Sequence, residues 1–236
     1  MLGGRRGGGV ESPSRLRPGW RKRATKVSGT GAWNISEDVY FLDESLADGI
    51  AELARGSSVL ELGSGTGKYV KYLRSTGKLR SIVGYDGVPN IHELSRGLVQ
   101  HADFTKEGNL FPDADWVLSL EVGEHIPVAH EKTFLEYLTK QSRVGIIISW
   151  ALPGQGGVGH VNLKTNEEVI GIMRSAGFRL LMHSSQKLRQ AARLSWFKKT
   201  LFAFLRMDAE DISFANRIGS VGRDYSLPDF RPETHF

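Results

Sequence analysis

The sequence predicts an α/β protein: one domain built on a doubly wound, seven-stranded, mostly parallel sheet. Three observations carry that prediction. Short apolar runs alternate with stretches of helical spacing along most of the chain, as strands joined by crossover helices require. The run Ile146-Ile147-Ile148 is continuously apolar, which suits a strand buried on both faces. The stretch from Ser58 to Val70 reads as a strand, a glycine turn and a helix start, a unit that lets a ligand approach the backbone closely.

Taken in order, residues 1–31 are rich in Gly, Arg, Pro and Ser and are expected to form a disordered basic tail. They hold eight Lys/Arg against the single Glu11, a net of +7, so the rest of the chain carries −2 of the total +5. The folded part therefore has no electrostatic support for binding nucleic acid. The tail is nearly free of acid, as organelle transit peptides are, but Gly7-Gly8-Gly9 and Pro13 oppose the amphipathic helix such peptides form. A cytoplasmic location is the expectation, with an organelle the alternative if the tail is a transit peptide. Cysteine is absent, which excludes disulfides. No apolar run approaches the ~20 residues of a membrane span.

The domain is placed at residues 32–207. Glu37 to Ala54 carries Val39, Leu42, Leu46, Ile50 and Leu53 at helical spacing, with Ser36 as its expected cap. Strands follow at Val59–Leu62, at Ile82–Tyr85 before Asp86, at Leu98–Ala102 before Asp103, at Trp116–Val122 and at Val144–Trp150. A helix is predicted from Val128 to Lys140, with Phe134, Leu135 and Leu138 facing inward. After the glycine-rich loop Pro153–Gly159 come a helix from Thr165 to Ala176, a strand from Phe178 to His183, a helix from Gln186 to Arg193 and a last strand from Leu201 to Met207. Residues 208–236 show no clear periodicity and form an extension without an assigned role.

The glycine turn excludes two familiar nucleotide sites. A phosphate-binding loop needs Gly-Lys-Ser/Thr, and here Tyr69 follows Lys68; the dinucleotide fingerprint needs glycine where Lys68 stands. What remains, Glu61-Leu62-Gly63-Ser64-Gly65-Thr66-Gly67, resembles the first motif of class I S-adenosylmethionine-dependent methyltransferases, acidic-x-Gly-x-Gly-x-Gly. The resemblance implies S-adenosylmethionine as cofactor. It places Glu61, Gly63 and Gly65 at the methionine portion and Asp86 at the ribose hydroxyls. Asp103 would meet the adenine amino group and Phe104, through its N–H, a ring nitrogen. Lys68 reads as a solvated helix residue.

The fourth strand runs into Glu121-Val122-Gly123-Glu124-His125, and His160 follows the fifth strand. This resembles the Glu-x-x-Glu-His segment of a metal-binding subset of that family, which includes the ubiquinone-pathway O-methyltransferases and the enzymes that methylate the terminal 2′-hydroxyl of small RNAs. The resemblance implies Glu121, Glu124, His125 and His160 as ligands, with Glu121 also at the cofactor. Offsets of three and four place Glu121, Glu124 and His125 on one helical face. Two carboxylates and two imidazoles suit Mg, Mn or Zn without deciding among them. Without a metal, His125 would act as general base with Glu124 orienting it. The expected function is O-methylation of a small hydroxylated molecule. The alternatives are methylation of an RNA terminal 2′-hydroxyl and a non-catalytic, cofactor-binding partner subunit. The loop before His160 is shorter and richer in glycine than in the ubiquinone enzymes, so substrate contacts do not carry over.

Overall fold

The computed structural model describes residues 26–36 and 38–207. The expectations for residues 1–25, Glu37 and the 208–236 extension lie outside the described residues. A short hairpin comes first, β1 (Lys26–Val27) against β2 (Trp33–Asn34), antiparallel. It takes in residues 26–31, which the sequence reading placed with the tail. The remaining elements are α1 (Glu44–Leu53), β3 (Ser58–Leu62), α2 (Lys68–Ser75), β4 (Ser81–Asp86), α3 (Ile91–Leu94), β5 (Val99–His101) and β6 (Ala114–Leu120). Then follow α4 (Glu131–Lys140), β7 (Ser142–Ser149), α5 (Asn166–Ser175), β8 (Phe178–Leu180), α6 (Met182–Ala191), α7 (Phe197–Thr200) and β9 (Leu201–Arg206).

Seven strands form one sheet in the order β5-β4-β3-β6-β7-β9-β8. Only β9 opposes the common direction, pairing antiparallel with both β7 and β8. The predicted fold class is therefore the observed one. Period-two alternation divides the strands between two cores: on β6, Trp116 and Leu118 enter one cluster with α1 and α2, while Val117 enters the other with Phe134 of α4 and Met173 of α5. Ile146, Ile147 and Ile148 are all fully buried, each worth about 1.5–3 kcal/mol of removed apolar surface. Strand order reverses between β3 and β6, and at such a point the carboxyl ends of the strands splay into a crevice.

Several boundaries differ from those expected: β6 ends at Leu120 rather than Val122, α4 begins at Glu131 rather than Val128, and α6 runs Met182–Ala191 rather than Gln186–Arg193. Two further differences have identifiable reasons. The first helix begins at Glu44 rather than Glu37, and its cap is Asp43, not Ser36: the Asp43 Oδ1 accepts from the Leu46 N–H at 3.1 Å. Its Oδ2 accepts from the N–H groups of Arg193 and Leu194, at 2.6 and 2.8 Å, a tie no local pattern announces. Val39 and Tyr40 pack instead on a third cluster, with Ile35, Val88, Ile91 and Val99. Strand β8 ends at Leu180 rather than His183, because the chain turns into α6 at Met182; the Ser185 hydroxyl donates to the Leu181 carbonyl at 2.8 Å as that turn closes. Thr165 caps α5 with a full capping box closed by Glu168.

Candidate functional site

A cavity of about 640 Å³ occupies the crevice. Its walls include Glu61, Gly63, Asp86, Asp103, Phe104 and Glu121, together with Glu124, His125 and His160. One space thus joins the residues expected at a cofactor with those expected at a metal.

At the first end, the glycine turn passes β3 into α2 through three left-handed glycines, Gly63, Gly65 and Gly67. The N–H groups of Gly63 and Ser64 donate to the Tyr85 carbonyl on the neighbouring strand, at 2.8 and 3.0 Å. Asp86 is buried; its Oδ2 accepts from the Gly65 N–H at 2.7 Å and its Oδ1 from the Val88 N–H at 2.9 Å. Burial pushes its carboxyl up, and those two amides pull the other way. Asp103 accepts from the Thr105 hydroxyl and N–H through Oδ1, at 2.6 and 3.0 Å, while its Oδ2 is 3.6 Å from the Lys106 ammonium.

Glu61 is almost fully buried and its Oε2 has no hydrogen-bond partner among the described residues. Burial raises its carboxyl to about 8, against the pull of the Ser64 hydroxyl. A buried, unpartnered carboxylate on a cavity wall is costly unless a donor completes it. Gly65, expected at the methionine portion, is not among the wall residues: its N–H is spent on Asp86, and the Tyr40 ring lies over its Cα.

The second end begins where β6 gives out. Glu121 takes a left-handed backbone, φ 55°, and a single 3-10 turn follows at Gly123–His125. The expected helical face for Glu121, Glu124 and His125 does not form, because the chain kinks at Glu121 before the turn begins. Glu124 is completely buried, without a well-aligned donor on either carboxylate oxygen among the described residues. Burial and the neighbouring Glu121 hold its carboxyl well above the usual range, and the nearby Ala151 amide eases this only in part. Burial also raises Glu121.

His125 Nδ1 lies 3.2 Å from the Gly159 carbonyl, and His160 Nδ1 lies 3.2 Å from the Gln155 carbonyl. A carbonyl can only accept, so both Nδ1 atoms carry the proton and both Nε2 atoms keep a lone pair. Glu124 therefore does not orient His125; Gly159 does. The two rings meet edge to face, 5.0 Å between centroids. Burial, and then His160, bring His125 down to about 4, and burial lowers His160 as well. Glu124, His125 and His160 each offer a ligand atom within 4.8 Å of the others. Glu121 stands outside that group: its Oε2 accepts from Gln155 Nε2 at 2.7 Å and its Oε1 from the Thr200 hydroxyl at 3.3 Å.

Four contributors escaped the sequence reading. Trp33 of the hairpin stacks on Tyr40 at 5.6 Å and meets the His125 ring edge-on at 5.5 Å. Their only signal was aromatic residues, Trp33, Tyr40 and Phe41, around a stretch whose Val39 and Leu42 read as a helical face. Lys68 is not simply solvated, since its ammonium donates to the Tyr40 carbonyl at 2.6 Å and pairs with Asp38 at 3.0 Å. Gln155 had no signal beyond its glycine-rich loop.

A family model described as a methyltransferase domain matches residues 39–183. Among solved structures, the chain is similar to CalS10, an amino pentose methyltransferase of calicheamicin biosynthesis from Micromonospora echinaspora solved with SAM bound: 16% identity and TM-score 0.52, over 69% of this chain and 89% of that one. It is similar to magnesium protoporphyrin IX methyltransferase from Synechocystis PCC 6803 with bound SAH, at 16% identity and TM-score 0.50, over 69% and 82% of the two chains. The methyltransferase domain of bacterial CtHen1-C aligns at 13% identity and TM-score 0.51, over 69% and 97%. At such identities the likeness is one of fold. No curated protein matches the sequence.

Proposed function

The chain belongs to the methyltransferase domain family, and from that premise we propose that it methylates an oxygen of a small hydroxylated molecule with the help of a divalent ion. Its methyl donor is S-adenosylmethionine, which presents an electrophilic methyl group on a sulfonium. Support for a small acceptor comes from the fold neighbours that act on an amino pentose and on a porphyrin, and from the acidic balance of the chain beyond its basic tail.

The donor fits the first end of the cavity. Glu61 offers its unpartnered oxygen to a cationic group, and Asp86 and Asp103 present carboxylates at successive strand ends. Phe104 and Gly63 complete that wall. The chain's own task there is alignment, because a methyl displacement needs its partners in line more than it needs a proton relay.

The observation that carries the metal reading is the convergence of Glu124, His125 and His160, one ligand atom each within 4.8 Å, on the wall of the same cavity. A completely buried carboxylate without an aligned donor and two imidazoles with free Nε2 atoms suit a divalent cation. When bound, such an ion would supply Lewis acidity, lowering the pKa of an acceptor hydroxyl. A histidine brought down to about 4 is neutral at physiological pH and weakly basic, which favours it as a ligand over a lone general base.

Two measurements test the reading. Labelled S-adenosylmethionine with small-molecule extracts, followed by mass spectrometry, should yield an O-methylated product; label entering RNA alone would overturn the small-molecule acceptor. Chelation should stop turnover while calorimetric binding of S-adenosylmethionine persists, and Glu124→Gln should lower kcat by at least about 100-fold. Full turnover in excess chelator would remove the ion.

A further inference from the structure

The residue expected as a ligand, Glu121, is the one carboxylate of the Glu-x-x-Glu-His segment already engaged by hydrogen-bond donors. Gln155 Nε2 donates to its Oε2 at 2.7 Å and the Thr200 hydroxyl to its Oε1 at 3.3 Å, while the Glu121 N–H donates to the Ser149 hydroxyl at 2.9 Å. Its left-handed backbone, φ 55°, is a conformation that costs a non-glycine residue of order 1–3 kcal/mol. This backbone turn brings the side chain to Gln155 and Thr200, beside the Glu124 carboxyl but outside the group that Glu124, His125 and His160 form within 4.8 Å of one another.

Gln155 is engaged on three sides. Its Nε2 is held by Glu121, its Oε1 accepts from the Leu152 N–H at 3.3 Å, and its own N–H donates to the Leu152 carbonyl at 2.9 Å. Its remaining backbone group, the carbonyl, accepts from His160 Nδ1 at 3.2 Å. The loop around it is rich in glycine, with Gly154, Gly156 and Gly157 open or close-packed against His160 itself, so little else in this stretch holds the carbonyl in place. His125 depends on a different carbonyl, that of Gly159.

We propose that Glu121 and Gln155 are positioning residues: the Glu121 carboxylate anchors the Gln155 side chain, and the Gln155 carbonyl fixes the His160 tautomer so that Nε2 keeps its lone pair beside Glu124 and His125. The proposal rests on the reading of those three residues as the chemical end of the site. It assigns Glu121 no direct contact with an ion, in contrast to the ligand role its motif implied. It also explains why a loop of glycines can present an imidazole at a defined angle: the order comes from one glutamine clamped across the loop to the end of β6.

Histidine ring ¹⁵N spectra of the full, metal-free chain test this, with binding of Mn²⁺ alone as the second readout. In the wild type, His125 and His160 should both show a protonated Nδ1 and a bare Nε2. Glu121→Ala and Gln155→Ala should each move His160 toward a protonated Nε2 and leave His125 unchanged. Both should weaken Mn²⁺ by about 10-fold or more. Glu121→Gln keeps an acceptor for Gln155, so it should retain the wild-type His160 signal and most of the Mn²⁺ affinity. An unchanged His160 in both alanine variants would overturn the proposal, as would His125 and His160 shifting together. Glu121→Gln losing as much Mn²⁺ affinity as Glu121→Ala would restore the ligand role and equally overturn it. If the wild type takes up no Mn²⁺, the metal part of the proposed function falls, and the His160 signal still decides the positioning claim.

Discussion

At the end of the cavity formed by Gly63, Asp86 and Asp103, these residues are held by their own neighbours or by the adjacent strand. Asp86 reaches the amide two residues on and the glycine turn beside it, and Asp103 reaches Thr105. At the other end only the contact of His160 with Gln155, five residues back, is local. His125 is oriented from Gly159, Glu121 is held from Gln155 and Thr200, and Trp33 of the hairpin braces the His125 ring. The first end needs only strand ends in register, whereas the second needs loops from four parts of the chain to arrive together. The carboxylates without a donor among the described residues divide in the same way: Glu61 Oε2 at the first end and both Glu124 oxygens at the second, beside the engaged Glu121.

The largest effect should come from breaking the first end at its backbone. Gly65 sits at φ 52°, and a Cβ there would lie 2.5 Å from the Tyr40 ring. Gly65→Val therefore combines left-handed strain with a steric clash, about 2–6 kcal/mol together, and should abolish calorimetric binding of S-adenosylmethionine. Wild-type affinity in a folded Gly65→Val chain would remove the donor from this end.

A smaller effect sharpens the comparison of the carboxylates. Because the Glu61 carboxyl is raised to about 8, the folded chain keeps a proton that the unfolded chain releases near the ordinary carboxylate range. Its stability contribution is fully present below that range and is lost as pH rises through about 8. Glu61→Gln should thus melt above the wild type at about pH 9 and together with it at about pH 4. The same variant should weaken S-adenosylmethionine by about 1.5–3 kcal/mol, since a charge-assisted bond is lost. Equal melting of the two chains at both pH values would show that Glu61 titrates as it does in water.

The smallest effect concerns the segment that covers the glycine turn. Lys68 and Asp38 are about two-fifths exposed, so their pairing is worth no more than about 1 kcal/mol. Lys68→Met should raise the S-adenosylmethionine Kd by about 2–5-fold and leave Mn²⁺ binding alone. A loss of Mn²⁺ binding would mean that the two ends are coupled through Tyr40 and Trp33.

By itself the sequence determined the sheet, its central strands and the carboxylates at the strand ends, because period-two burial and left-handed glycines are local requirements written into consecutive residues. It also marked Glu121, Glu124, His125 and His160 as one candidate ligand set, of which the structure groups the last three. Lys68 looked solvated because its partners, Asp38 and Tyr40, lie some thirty residues back in a stretch whose spacing read as the start of a helix. The first helix looked seven residues longer because nothing in 37–43 reveals that Asp43 must also reach Arg193 and Leu194. Only the tertiary structure decided that Glu121 engages Gln155, that carbonyls rather than carboxylates orient both histidines, and that a hairpin from the N-terminal side closes over them. Glu121 to Gln155 and His125 to Gly159 span 34 residues each, and the five-residue contact of His160 with Gln155 depends on the loop conformation that Glu121 holds, so none of them leaves a mark in the order of neighbouring side chains.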